Sequence, residues 1–392
     1  MNQDEAIFIM QCSALGYKNN EILVYILPLK MVTYYFVVPN HNQIKYTQSF
    51  MPQKILGLET LRTLSILMVA ASHWIYGGVL SRLHVGHWGV DIFFTISGFL
   101  ITQILMKEKE KIDAQQTTYQ AALKRFYIRR TLRIFPVYYL LLLLCYLFDY
   151  QSVAASMPWN LFYVSNFYNL YINDWTGATS HFWSLAIEEQ FYMLWAPLIL
   201  FLGIRQTKYL ILGIIAIAIG SRFCINTFQI LPFIANIVFT PCCLDTLGVG
   251  ALFGYFWRYK PTLAAYILNQ NLLFVLAVLT FAGVTALGYF GHNYYYILLY
   301  RTSIALVCVF LIGWSVQGWQ GAAKYFFENP ILVYLGKISY GFYLFHPFVP
   351  QLCAKYTNNT SLWLYFLVTV VISSISFYGF ERPINNLKDR FS

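Results

Sequence analysis

The sequence predicts an all-α fold: a polytopic bundle of about ten membrane-spanning helices with its N- and C-termini cytoplasmic. Three observations carry that expectation. Of the 392 residues, 58% are hydrophobic and only 11% are charged, whereas a soluble domain carries about 25% charged residues. So few charges cannot cover a globule with solvated groups. Ten runs are long and apolar enough to span a bilayer, each roughly 20 residues, as a hydrocarbon core of about 30 Å requires. The cations gather in alternate gaps between those runs, the pattern that positive-inside sorting leaves.

The runs fall near 58–80, 88–106, 131–150, 183–203, 209–226, 233–257, 270–291, 294–316, 331–353 and 361–380. With the chain entering the first from the cytoplasm, the inside gaps hold Lys107, Lys109, Lys111, Lys124, Arg125, Arg129 and Arg130, then Arg205, Lys208, Arg258, Lys260 and Lys324, and finally Arg382, Lys388 and Arg390. The outside gaps hold little beyond Arg82, Lys355, Asp149 and Asp174. The Asn-studded "PWNLFYVSNFYNLYI" (158–172) reads as interfacial or re-entrant, because an eleventh span there would put the later cations outside. Residues 1–50 form an extension of unassigned role ahead of a membrane domain at 51–392. Stretch 21–38 suits an extra anchor helix; alternatively the extension is translated upstream sequence, with Met51 the natural start. No signal peptide with a cleavage site is recognisable, so the first span reads as an uncleaved anchor.

The formal charge of +10 would suggest nucleic acid on a soluble protein. Here it reports membrane orientation, and no RNA-binding motif or solvated basic domain accompanies it. Cys12, Cys145, Cys224, Cys242, Cys243, Cys308 and Cys353 show no C-x-x-C or metal-type spacing and read as small core residues. Gly250 and Gly254 stand at small-x-x-x-small spacing, which predicts close helix packing.

The candidate chemistry lies in polar residues inside the apolar runs, where a charge costs at least ~2.5 kcal/mol. Arg62 and His73 share a face of the first span, about 16 Å apart along its axis. His73 is either a satisfied packing residue or, with Arg62, the mark of a cavity. In the second span Asp91, Thr95, Gly98 and Thr102 fall on one face. Asp91 is placed level with His73, where it either orients an imidazole or merely favours a helix N-terminus. Arg125, Arg129 and Arg133 fall at i, i+4 spacing, with Pro136 kinking the helix beyond them. They are either anchoring charges or a fork-rich patch suited to phosphate. His181, Ser184, Glu188 and Trp195 lie along one face of the fourth span, and Glu189 points about 100° away. Glu188 is therefore the cavity candidate, and Glu189 pairs with a neighbouring helix. Ser339, Tyr343 and His346 share a face, with Pro347 ending regular hydrogen bonding just beyond. Asp245 of the sixth span and Arg301 of the eighth either add to this polar cluster or form a structural ion pair.

In order along the chain, Arg62 with His73, "GHWGVDIFFTISGFLI" (86–101), "RRTLRIFP" (129–136), "FWSLAIEEQFY" (182–192), "DTLGVGAL" (245–252), "LGKISYGFYLFHPF" (335–348) and "ERP" (381–383) resemble the acyltransferase-3 family of integral membrane acyltransferases. The resemblance covers Met51 to Arg390, without the C-terminal esterase-like domain that some members carry. It implies transfer of an acyl group, often acetyl, from cytosolic acyl-CoA to a hydroxyl of a glycan. It also implies functional roles for the Arg and His of the first span and for the Arg–Arg–Pro loop. The implied setting is the plasma (inner) membrane, with a surface polysaccharide, lipopolysaccharide or lipid-linked sugar as acceptor. Some members modify small molecules, so the acceptor stays open.

The expected mechanism places Arg129, Arg133 and Arg125 on the CoA phosphates, with the pantetheine arm passing Arg62. His73 removes the proton of the acceptor hydroxyl, and Asp91 or Glu188 orients it; a variant has His73 carry the acyl group covalently. Ser184, Glu188, Tyr343 and His346 suit hydrogen bonding to a sugar. Acyl-CoA is a donor substrate; no permanently bound cofactor and no metal is implied, since the histidines lack ligand spacing. Two rivals stand beside this reading. A secondary transporter would relay protons through the same residues, and a scaffold would need no His73 chemistry.

Overall fold

The computed structural model describes residues 22–26, 35–39, 55–75, 77–148, 150–357 and 360–388. The chain divides into two units, Met1–Lys54 and Ile55–Ser392. In the first, the strands Ile22–Ile26 and Tyr35–Pro39 pair antiparallel, with Ile22 opposite Pro39. They occupy half of the stretch expected as an anchor helix; the remainder of 1–50, and Met51, lie outside the described residues, as do Asp149 and Arg390.

The second unit is helical. Its principal helices are α1 (Leu56–Trp74), α2 (Val85–Asp113), α3 (Tyr119–Leu147), α4 (Phe182–Phe201), α5 (Ile204–Phe228), α6 (Leu244–Tyr259), α7 (Asn271–Tyr289), α8 (Asn293–Gln317), α9 (Pro330–Lys337), α10 (Ser339–Phe345) and α11 (Leu362–Ser376). Among the described residues, six helices are long and apolar enough to cross a membrane: α2, α3, α5, α7, α8 and the continuous run Leu362–Asn386. Four runs expected as spans fall short of that standard for visible reasons. Glu59, Arg62 and His73 dilute α1, the carboxylates interrupt α4, α6 has only 16 residues, and Ile338 breaks the ninth run into α9 and α10. Residues 158–172 form no continuous helix. Met157–Leu161 and Ser165–Ile172 meet at a turn and bury Asn160, Asn166 and Asn169. Helix α3 runs through Pro136 without ending there.

Helix α2 is the hub, packing on α1, α4, α6 and α8. Its stripe of Asp91, Thr95, Gly98 and Thr102 is buried on one side, as the spacing predicts; Asp91, Thr95 and Gly98 meet α6 and α8, and Thr102 accepts from Trp195 of α4 at 2.9 Å. A Cβ at Gly98 would collide with the Leu247 carbonyl, and one at Gly250 with the Thr95 carbonyl. Without a hydrophobic drive between helices in lipid, such backbone proximity is a principal source of cohesion.

The buried charges tie α2, α5, α6 and α8. Arg222 of α5 donates to both Asp245 oxygens at 3.0 and 2.8 Å and to the Leu298 carbonyl at 3.0 Å; Thr302 adds a bond to Asp245 Oδ2 at 2.6 Å. Arg301 of α8 pairs with Asp91 and donates to the Ile237 carbonyl at 3.1 Å. All four side chains are fully buried. The expected Asp245–Arg301 pair is thus exchanged. Asp245 pairs with Arg222, a residue the sequence reading passed over, and Arg301 takes Asp91.

Removing one member of such a pair leaves an uncompensated buried charge, at a cost of about 3–5 kcal/mol, whereas apolar replacement of both is often neutral. Arg301→Leu is therefore expected to lower the melting temperature of the detergent-purified protein sharply. Adding Asp91→Leu is expected to recover most of that loss.

Candidate active site

The other face of α2 borders a cavity of about 100 Å³. Val90, Phe93, Phe94 and Ser97 come from α2, Ser184, Glu188 and Tyr192 from α4, and Arg130 and Arg133 from α3. Arg62 of α1 and Ser339, Tyr340 and Tyr343 of α10 complete it. Five helices therefore converge on one polar space inside an apolar bundle.

One end of the cavity is cationic. Arg62 is held by Glu59, its Nη1 lying 3.0 Å from both carboxylate oxygens. Arg130 lays its guanidinium over the Tyr192 ring at 5.0 Å. Arg133 is solvent-accessible and lines the cavity. Among the described residues neither Arg130 nor Arg133 forms an ion pair, so their charge faces the cavity. Guanidinium forks in this arrangement suit a phosphate or carboxylate.

Glu188 stands midway, one helical turn from both Ser184 and Tyr192, and its Oε1 accepts from Ser97 Oγ at 2.6 Å. It lines the cavity as expected. Glu189 points elsewhere, but among the described residues it forms no ion pair with a neighbouring helix. Its Oε1 is buried without a hydrogen-bond partner among the described residues, within electrostatic reach of Arg130.

The far end closes at Tyr343. Its hydroxyl donates to the His181 carbonyl at 2.7 Å, which leaves its oxygen to accept from Ser184 Oγ at 2.5 Å. Behind it lie three imidazoles. The His346 ring centroid is 4.9 Å from that of His73, 5.4 Å from that of His181 and 5.8 Å from the Tyr343 ring. His73 Nδ1 lies 2.9 Å from the Val69 carbonyl and 3.2 Å from His346 Nε2. His346 is fully buried and its carbonyl accepts from Trp74 Nε1 at 2.9 Å; His73 is only partly buried.

Of the sequence-derived site residues, Arg62, Arg133, Ser184, Glu188 and Tyr343 line the cavity, and His73 and His346 meet directly behind it. Three do not join them. Asp91 is committed to Arg301 on the opposite face of α2, so it does not orient His73. Arg125 is spent on Glu108 at 2.6 Å and Thr117 at 2.9 Å, tying α3 to the C-terminal end of α2. Arg129 is exposed and does not line this cavity. Its place is taken by Arg130, because buried Phe126, Ile134, Val137 and Tyr138 set the inward stripe of α3 one residue round. Ser97, Tyr192 and Tyr340 were also passed over, having no charge to single them out.

Residues 55–380 match the model of the acyltransferase-3 family, described as an acyltransferase domain. Among the relatives, the peptidoglycan O-acetyltransferase OatA of Listeria monocytogenes is 28% identical, the match covering 87% of this chain and 56% of the relative. The O-acetyltransferase OatA of Staphylococcus aureus is 27% identical over 86% of this chain and 58% of its own length. The chain thus spans little more than half the length of these relatives. No solved structure matches it. The match runs over most of the chain, whose polar cavity lies among helices apolar enough to cross a membrane: the chain belongs to the acyltransferase-3 family.

Proposed function

We propose that this multi-pass membrane protein moves an acetyl group from acyl-CoA to a hydroxyl of a cell-envelope glycan. In this reading about ten helices cross the plasma membrane, counting the four diluted by polar residues, and both ends of the membrane domain lie on the cytoplasmic side. The observation that carries it is one cavity with three guanidiniums at one end and a tyrosine backed by a histidine pair at the other. A donor with an anionic head and a reactive thioester tail is chemically matched to both ends. The glycan class of acceptor is supported by the peptidoglycan O-acetyltransferase relative, which favours a wall-type glycan over lipopolysaccharide.

In this mechanism Arg62, Arg130 and Arg133 hold the CoA phosphates, and the pantetheine arm runs past Ser97 and Glu188. Delivery of the thioester to His73 exchanges the Ser184–Tyr343 hydrogen bond for bonds to substrate. Nε2 of His73 removes the proton of the acceptor hydroxyl as its oxygen attacks the thioester carbonyl. The C–S bond breaks, and the imidazolium returns its proton to the departing thiolate. Glu188 and Ser184 hydrogen-bond the acceptor sugar.

The deciding assay uses the purified chain in lipid nanodiscs with acetyl-labelled CoA and soluble glycan fragments. Base-labile label should appear in the glycan; absence of both transfer and acetyl-CoA hydrolysis would refute the proposal. His73→Ala is expected to cut turnover by ~10²–10⁴-fold, the usual worth of a general base, with the melting temperature retained. Arg130→Gln combined with Arg133→Gln is expected to raise the KM for acetyl-CoA by at least ~10-fold, since each charge-assisted hydrogen bond contributes about 1.5–3 kcal/mol. The acceptor KM should hold; equal rises in both would remove the phosphate assignment.

A further inference from the structure

The two imidazoles behind Tyr343 admit one arrangement of protons that suits every acceptor around them. His346 Nδ1 lies 2.8 Å from the Tyr343 carbonyl. A carbonyl only accepts, so this nitrogen carries the hydrogen. A neutral imidazole protonated at Nδ1 has its lone pair at Nε2, and His346 Nε2 faces His73 Nδ1 at 3.2 Å. His73 Nδ1 is therefore the donor. The Val69 carbonyl, 2.9 Å from the same atom, requires the same answer. Two acceptors thus converge on one N–H, and the lone pair of His73 is left at Nε2.

We propose that His346 is a positioning residue for His73, a buried neutral acceptor that fixes the imidazole in the tautomer whose Nε2 is free to take a proton. This rests on the reading of His73 as the base. It replaces the sugar-binding role that the sequence suggested for His346, whose two ring nitrogens are both committed within the protein. The choice of an imidazole over the more usual carboxylate has a physical reason. A second carboxylate this deep in an apolar bundle needs its own counter-charge, as Asp91 needs Arg301, whereas a neutral ring needs only the Tyr343 carbonyl. When His73 gains a proton at Nε2, its Nδ1–H bonds become charge-assisted and strengthen. The acceptor is also held in place. Trp74 Nε1 anchors the His346 carbonyl, and the adjoining Pro347 restricts the backbone.

The test compares wild type, His346→Phe and His346→Gln in nanodiscs, measuring melting temperature, kcat and both KM values with acetyl-CoA and glycan fragments. Glutamine can extend a carbonyl oxygen to where Nε2 stood; phenylalanine offers no acceptor. The Phe variant should lose ~10²-fold or more in kcat with both KM values near wild type; loss of tautomer control by a carboxylate partner costs about 10⁴-fold in a well-studied hydrolase. The Gln variant should regain most of that loss. An unchanged kcat in a folded Phe variant overturns the proposal, as does a Gln variant no better than Phe. A raised acceptor KM with kcat intact returns His346 to sugar binding and equally overturns it. Should Phe fail to fold, His346→Leu is judged by the same outcomes. A wild-type protein that transfers no acetyl group removes the underlying reading instead, and is recognised before any variant is compared.

Discussion

Two buried arginine–carboxylate pairs, Arg301 with Asp91 and Arg222 with Asp245, are the constraint on which the rest of this bundle depends. They fix α2, α5, α6 and α8 relative to one another through bonds that have no solvent to compete with them. The glycine contacts of α2 with α6 act in the same place and direction. Because one face of α2 is held so tightly, its opposite face can border open space without the helices closing over it. Ser97 and Glu188 meet across that space, and the cationic residues of α1 and α3 reach into its end. The cavity is a consequence of where the packing energy was concentrated.

The division of labour explains which ionisable residues are paired and which are not. The charges that join α2, α5, α6 and α8 are satisfied inside the protein and fully buried. Charges at the cavity are left incompletely neutralised. Arg62 has Glu59, but Arg130 and Arg133 have no partner within ion-pair distance among the described residues. In a medium where an unpaired charge is costly, such economy is sustainable only at a wet surface, and the cavity supplies one.

Much of this was legible in the sequence, because helical periodicity assigns residues to faces. The stripe from Asp91 to Thr102, the opposite directions of Glu188 and Glu189, and the alignment of Tyr343 with His346 all came from the helical repeat of about 3.6 residues per turn. What periodicity does not give is the identity of the neighbour. Asp91 on the polar stripe of α2 read as a partner for the first-span imidazole and instead sits in a packing seam, since a buried aspartate reads the same whether it faces a histidine or an arginine 210 positions away. The arginine register was missed by one residue for a related reason. Spacing alone gives a common face to Arg125, Arg129 and Arg133, whereas the surrounding apolar residues decide which face turns inward. The exchange of ion-pair partners lay beyond sequence altogether, because three long-range contacts compete for two carboxylates. The family resemblance, spread over seven short stretches, was the most secure inference, as it required no three-dimensional assumption.

The Tyr343 hydroxyl, shared between Ser184 and the His181 carbonyl, also decides what the cavity can reach. The tyrosine lines the cavity, and the His346 ring lies beyond it with its centroid 5.8 Å from the phenol ring. This one side chain therefore stands between the arginine-lined space and the histidine pair. Joining the two requires its hydroxyl to give up the bonds to Ser184 and His181.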